Sequence, residues 1–340
     1  MILLIGRLLH FLAVCFFVGS GETNTNPSPN IHSYSDQESC EIMEASSSIY
    51  KIKPLARLFG AEVRGIDLAT FNIKDPVFLD HLKKDLVEHR VLLFRNQNLT
   101  GHRQVELSKL LGTVESTFYK HPESPHPDIF RVSNNEDVGC TNVGRSGWHC
   151  DGTFQMRPFS YQTMYFESVA EGGDTYFIPL TEFYLSQPED VKERWKKLWM
   201  VTGRRQAPVH PLVCQHPYRN NEVTMLFHCG QPFVKGWLQE DENGQVNTTN
   251  LLPSRPVQRE LTDALEAKQD DIGLRMQWQK GDFMINDNLG LAHFASEGTQ
   301  ADWREVGLRI LHRTTIVGGP ESVPKSLNGK SSFHLQSTFF

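Results

Sequence analysis

Leucines at 79, 82 and 86 recur at helical spacing, and the apolar run Val91–Phe94 follows at once. This pattern predicts an outer helix over residues 79–89 that feeds a buried strand. A second helical stretch spans residues 182–198. Pro188, Glu189 and Asp190 open its stronger half, and Val191, Trp195 and Leu198 form an apolar stripe at spacings of four and three. The remaining half of the chain alternates short β-rich runs with turns, at residues 161–166, 175–178, 223–227, 283–285 and 308–316. No alternation of helix and strand suggests a parallel nucleotide-binding sheet, and neither a repeat period nor a phosphate-loop motif occurs. The expected fold class is mainly β with flanking helices around a jelly-roll core.

The ends of the chain read differently. Residues 8–18 form a short apolar run ending in Gly19-Ser20-Gly21, the shape of a signal peptide over residues 1–20 and too short for a stable membrane span. The expectation is therefore the secretory pathway or secretion. The alternatives are a signal anchor, or a cytoplasmic protein whose start codon is wrongly placed. Residues 21–48, rich in Ser, Asn, Thr and Pro, read as a flexible lead-in, 49–318 as the catalytic domain, and 319–340 as a loosely held tail. Removing the leader leaves Cys40, Cys140, Cys150, Cys214 and Cys229, which cannot all pair within one chain and contain no C-x-x-C spacing. Asn98 and Asn247 each begin a glycosylation sequon, relevant only to an exported chain. The net charge of -6, with basic residues scattered, argues against a nucleic-acid surface and leaves homo-oligomerisation open.

Candidate chemistry centres on Trp148-His149-Cys150-Asp151-Gly152. On an extended strand, residues i and i+2 share a face, so His149 and Asp151 can reach one metal while Cys150 packs away from it. Spacing alone does not decide this, because His126-Pro127-Asp128 and His121-Pro122-Glu123 have similar spacing, but their prolines disfavour a central strand. Downstream, residues 281–288 lead to His293, and residues 308–316, read as a strand, place Arg309, Leu311 and Arg313 on one face. Buried guanidiniums require anionic partners, and a planar fork suits a carboxylate, sulfonate or phosphate.

Taken in order, these blocks resemble the taurine dioxygenase/TfdA-like Fe(II)- and 2-oxoglutarate-dependent dioxygenases. The resemblance runs from about residue 52 to 317. It includes residues 59–68, residues 91–97, the His149/Asp151 block, Gly172-Gly173-Asp174-Thr175, His293 and the Arg309/Arg313 pair. It implies a double-stranded β-helix in which His149, Asp151 and His293 bind Fe(II). It further implies that Thr175 and Arg309 hold the distal carboxylate of 2-oxoglutarate, with Arg313 near the substrate anion or the cosubstrate. The stretch 294–303 is longer than usual in the family, and an insertion there would lie beside the active-site mouth.

The expected activity is oxidation, most simply hydroxylation, of a C–H bond in a small anionic organic substrate, with O₂ and 2-oxoglutarate consumed and succinate and CO₂ released. Asp151 fills the position a chloride would need in the related halogenases, which favours hydroxylation; desaturation or oxidative cyclisation could use the same triad. A secreted jelly-roll binding protein and a metal-dependent hydrolase are the rival classes, and neither needs the Thr175/Arg309 anchor. Tyr119, His121 and Asn142 are candidate pocket residues from the loops before the H-x-D block.

Overall fold

The computed structural model describes residues 49–115, 120–144, 146–203 and 208–336. These belong to one compact unit, Ser48–Phe340. The expected leader and lead-in lie outside the described residues. Strand outweighs helix among those described. The largest sheet contains eight strands. Its path runs Lys51–Pro54, Ala61–Arg64, Val91–Phe94, Phe283–Asp287, Phe159–Ser168, Ile310–Val317 and Thr113–Glu115, with Phe130–Ser133 also paired to Ile310–Val317. A three-stranded sheet orders Leu274–Met276, Thr175–Pro179 and Leu291–Ala295.

Alternation along the central strands explains their near-continuous apolar sequence. Leu92, Phe94, Tyr165, Phe283 and Ile285 point to one side, where the helix Pro76–His89 covers them with Phe78, Leu82 and Leu86, and Gly101–Lys109 adds Leu107. Val91, Leu93, Met164, Phe166, Met284 and Leu311 point the other way and pack with Phe177, Met276 and Leu291 of the three-stranded sheet. Each large apolar side chain fully buried in this way contributes roughly 1.5–3 kcal/mol. The first helix begins three residues before the expected one, because Asp75 caps it by accepting from the Val77 and Phe78 amides and Pro76 needs no donor partner. Its buried stripe therefore starts at Phe78, while Leu79 is half-buried.

Three expectations need correction. The stretch 182–198 is two helices, Leu180–Leu185 and Glu189–Lys196, interrupted before Pro188, whose ring disfavours helical geometry at the preceding residue. Leu198 instead opens the strand Leu198–Thr202. The described part of the tail is not loose: Lys325 O accepts from Gln215 N at 2.8 Å, Pro324 O accepts from Ser332 N at 3.1 Å, and Val323, Ser326 and Ser332 are buried. The 19-residue helix Ser254–Ile272 was not anticipated, although Val257, Leu261 and Leu265 give it a buried stripe at spacings of four.

Candidate metal centre and anion pocket

His149 is not in a regular strand, contrary to the i, i+2 argument. It forms isolated bridges to His228 and His293, and residue 151 opens a turn. Gly152 makes that turn possible: its φ is +78°, and a Cβ there would stand 2.8 Å from the Phe159 nitrogen. The two histidines lock each other through reciprocal backbone bonds, His149 N to His293 O at 3.1 Å and His293 N to His149 O at 3.0 Å. Asp151 closes the group, with Oδ1 3.5 Å from His149 Nε2 and Oδ2 3.8 Å from His293 Nε2. One donor atom from each of the three residues lies within 4.8 Å of the others.

Local chemistry sets the charge states. The His149 Nδ1 edge lies 2.6 Å from the Gly147 carbonyl, which requires that nitrogen to carry a proton and turns Nε2 toward Asp151. Burial, assisted by His149, pushes His293 down to about 3, so its ring is neutral at physiological pH. Burial opposes ionisation of Asp151, but the Arg313 guanidinium and the two imidazoles outweigh it and hold the carboxyl well below the usual range. Arg313 Nη1 donates to Asp151 Oδ2 at 2.6 Å. Two imidazoles, that of His293 neutral, and one carboxylate form the donor set suited to non-haem Fe(II). His293 Nδ1 is buried and has no hydrogen-bond partner among the described residues.

A second polar group joins the eight-stranded sheet, through Phe166 and the residue before Ile310–Val317, to Thr175 of the three-stranded sheet. Arg309 precedes the strand Ile310–Val317, which shows a register irregularity between Ile310 and Leu311. Its guanidinium stacks over Phe166 at 5.1 Å, Phe166 stacks on Trp278 at 4.1 Å, and Trp278 Nε1 donates to Thr175 Oγ1 at 3.1 Å. Arg309 is 4% exposed, its Nε is unpartnered, and no carboxylate forms a salt bridge with it among the described residues. Burial alone lowers it from 12.5 to about 10, so it remains charged and under-compensated.

Comparison with known proteins gives this geometry its context. The family model described as "Taurine catabolism dioxygenase TauD, TfdA family" matches residues 51–315. The chain belongs to that family. It is 27% identical over 311 residues to the alpha-ketoglutarate-dependent sulfate ester dioxygenase of Pseudomonas putida, covering 83% of this chain and 93% of that protein. It is 31% identical over 305 residues to the (S)-phenoxypropionate/alpha-ketoglutarate-dioxygenase of Sphingobium herbicidovorans, covering 81% and 98%. Among solved structures, a taurine dioxygenase from Burkholderia xenovorans superposes with a TM-score of 0.64 at 24% identity over 84% of this chain and 94% of that one, a likeness of fold. The protein is thus an alpha-ketoglutarate-dependent non-haem iron dioxygenase, with His149, Asp151 and His293 as its iron site.

Other sequence candidates in this dioxygenase are placed as follows. Cys150 is fully buried among apolar side chains, as expected. The two rival pairs are local turns in which the histidine accepts from the amide two residues on: Asp128 N to His126 Nδ1 at 3.0 Å and Glu123 N to His121 Nδ1 at 3.2 Å. The other ring nitrogen of His121 lies 3.1 Å from Glu136 O, and Asn142 is exposed, its amide bound to Gln300 Oε1 at 2.6 Å. Both are thus engaged within loops; Tyr119 lies outside the described residues. Residues 294–303 pack against the turn before Thr175, where Ser296 Oγ donates to Gly172 O at 2.7 Å. Sequence reasoning missed Trp278, His228 and Gln162. A glutamine inside the apolar run 161–166 was the one available signal, since a buried amide in a central strand needs partners. The ring of His228 stacks on that of His149 at 4.7 Å.

Proposed function

We propose that the protein hydroxylates a C–H bond of a small organic anion, converting R–H, O₂ and 2-oxoglutarate into R–OH, succinate and CO₂. The observation that carries this reading is Arg309, a buried cation without a counter-ion among the described residues, linked through Phe166 and Trp278 to Thr175. Because Trp278 supplies a proton to Thr175 Oγ1, the threonine hydroxyl hydrogen is left to donate elsewhere. On this reading Thr175 and Arg309 hold the distal carboxylate of 2-oxoglutarate. Iron, when bound, supplies O₂ activation, while the protein fixes orientation. Asp151 supplies an acid where a halogenase needs a vacancy, which favours hydroxyl transfer.

The relatives act, by name, on sulfate esters and phenoxypropionate, which supports a small sulfate, sulfonate or carboxylate substrate here. Arg313 keeps one nitrogen on Asp151 while its buried Nε is unpartnered, and we assign its spare capacity to the substrate anion. On this reading the eight- and three-stranded sheets, which share a core, form the double-stranded β-helix expected from the sequence. Purified protein given Fe(II), 2-oxoglutarate and a panel of alkyl sulfates, sulfonates and aryloxy acids should release succinate with at least one class and yield a product heavier by one oxygen. Absence of Fe(II)-dependent 2-oxoglutarate consumption across the panel and in its absence would refute the reading.

A further inference from the structure

We propose that Gln162 and Asn288 are positioning residues that fix Asp151 as an iron ligand and tie it to the turn leading into the strand that bears His293. This goes beyond the triad itself, on whose assignment it rests. Asn288 sits in the turn between the strands Phe283–Asp287 and Leu291–Ala295, five residues before His293. Its Oδ1 accepts from the Asp151 amide at 2.8 Å, and its Nδ2 donates to the Asp151 carbonyl at 2.9 Å. One side chain therefore holds both backbone polar groups of the ligand residue. The same Nδ2 donates to Phe159 O at 2.6 Å, which joins the turn to the strand carrying Gln162.

Gln162 fixes the carboxylate. Its Nε2 donates to Asp151 Oδ2 at 2.8 Å and to Asn288 Oδ1 at 2.9 Å. With Arg313 on Oδ2 as well, that oxygen accepts two donors, and Oδ1 is left toward His149 Nε2. The amide orientations are determined by their neighbours. A flipped Asn288 would set its NH₂ against the Asp151 N–H, and a flipped Gln162 would set an oxygen against two acceptors. Both residues are fully buried. Gln162 Oε1 has no partner, so the fold retains a buried unsatisfied oxygen in order to present Nε2. A residue needed only for packing would more cheaply be apolar. The contacts to Asp151 are what require an amide.

Because Asn288 also lies on the chain leading to His293, the pair couples two ligands that are distant in sequence. Together with the reciprocal His149–His293 backbone bonds, it assembles the three donors before any metal arrives.

The test uses the full-length protein with Co(II) as metal probe, anaerobic titration followed by the d–d absorption, and melting of the metal-free form. Gln162→Met keeps length and volume. It should melt within a few degrees of wild type yet bind Co(II) about 10- to 100-fold more weakly, the usual cost of removing a group that orients a metal ligand, with an altered d–d spectrum. Asn288→Ala should also weaken the metal, beyond what any loss of melting temperature explains. Asp151→Ala is the reference. If it binds Co(II) like wild type, the ligand assignment itself fails. If it loses Co(II) while folded Gln162→Met and Asn288→Ala match wild-type affinity and spectrum, only the positioning role is overturned. Failure of both variants to fold would likewise overturn it, making the pair structural.

Discussion

Replacing Arg309 with methionine should strengthen the ligand-free protein while crippling its hold on 2-oxoglutarate. The two effects have the same origin. Arg309 is buried without a counter-ion among the described residues, and its fall from 12.5 to about 10 is due to burial alone. At about 1.4 kcal/mol per unit, that depression corresponds to roughly 3 kcal/mol of desolvation that no carboxylate among the described residues returns. Methionine fills much of the same space against Phe166 without the charge, although the stacked contact at 5.1 Å is lost. The net gain in the ligand-free state should be about 1 kcal/mol or more. Binding moves the opposite way. A cosubstrate carboxylate deprived of a desolvated guanidinium should lose about 2–5 kcal/mol, a drop in affinity of roughly 30-fold to several thousand-fold.

Urea unfolding of the ligand-free variant and calorimetric titration of 2-oxoglutarate into the Mn(II)-loaded protein read the two arms separately. The stabilisation that saturating ligand gives wild type, about 2.7 kcal/mol at a hundred times Kd, should largely vanish at the same ligand concentration in the variant. A variant that is less stable than wild type and binds 2-oxoglutarate within about fivefold of it would show that Arg309 is a packing residue, and the cosubstrate assignment would fall.

Trp278→Phe should raise the Kd for 2-oxoglutarate several-fold without changing metal affinity, and should add nothing in a Thr175→Val background. Independent, additive effects would mean that Trp278 does not act through the threonine. Acid should weaken the fold through His210, whose Nδ1 lies 2.8 Å from Ser332 Oγ and whose Nε2 lies 2.8 Å from Gln155 O. Burial pushes it down to about 4 from 6.5, so between those values the unfolded chain binds a proton the folded one refuses. Stability should fall as pH drops through that window, by up to about 1.4 kcal/mol per pH unit; urea midpoints of His210→Gln that keep the wild-type slope would exclude this residue as a source. The apolar run at 8–18 predicts that eukaryotic expression yields a chain shortened near residues 18–22, and an intact Met1 on a cytosolic product would reject the leader.

The sequence made the iron ligands legible because two of them lie two positions apart and the third follows a recognisable block, even though the local argument was wrong in detail. His149 and Asp151 reach one point by a bridge followed by a glycine turn, and a regular strand plays no part at Asp151. Arg309, Leu311 and Arg313 share the inner face despite the irregularity at Ile310, since Arg309 stacks on Phe166, Leu311 packs with it, and Arg313 meets Asp151. The partners of those residues were not legible. Gln162 and Asn288 lie 126 positions apart, and Asn288 and Asp151 lie 137 apart, so nothing local reports their pairing. The helix Ser254–Ile272 was missed for a different reason. Its stripe of Val257, Leu261 and Leu265 is sparse among polar residues, and Ser254-Arg255-Pro256 reads as a loop until Pro256 is placed in the first turn.

The two charged regions of the inner face are electrostatically unlike. Around Asp151 the charges close on themselves: the carboxylate meets Arg313 and Gln162, and the neighbouring imidazoles face it with Nε2. Around Arg309 they do not, because the aromatic shelf of Phe166 and Trp278 shapes the site without supplying an anion. A folded protein that keeps an uncompensated guanidinium at 4% exposure accepts a cost that an apolar residue would avoid. On the proposed assignment, that cost is recovered when the distal carboxylate of 2-oxoglutarate binds. On that proposal the metal half is organised in advance by internal contacts, whereas the Arg309 half gains its missing charge from the ligand. This asymmetry is what makes removal of Asp151 and removal of Arg309 distinguishable in the laboratory: the first opens a closed network, and the second relieves an open one.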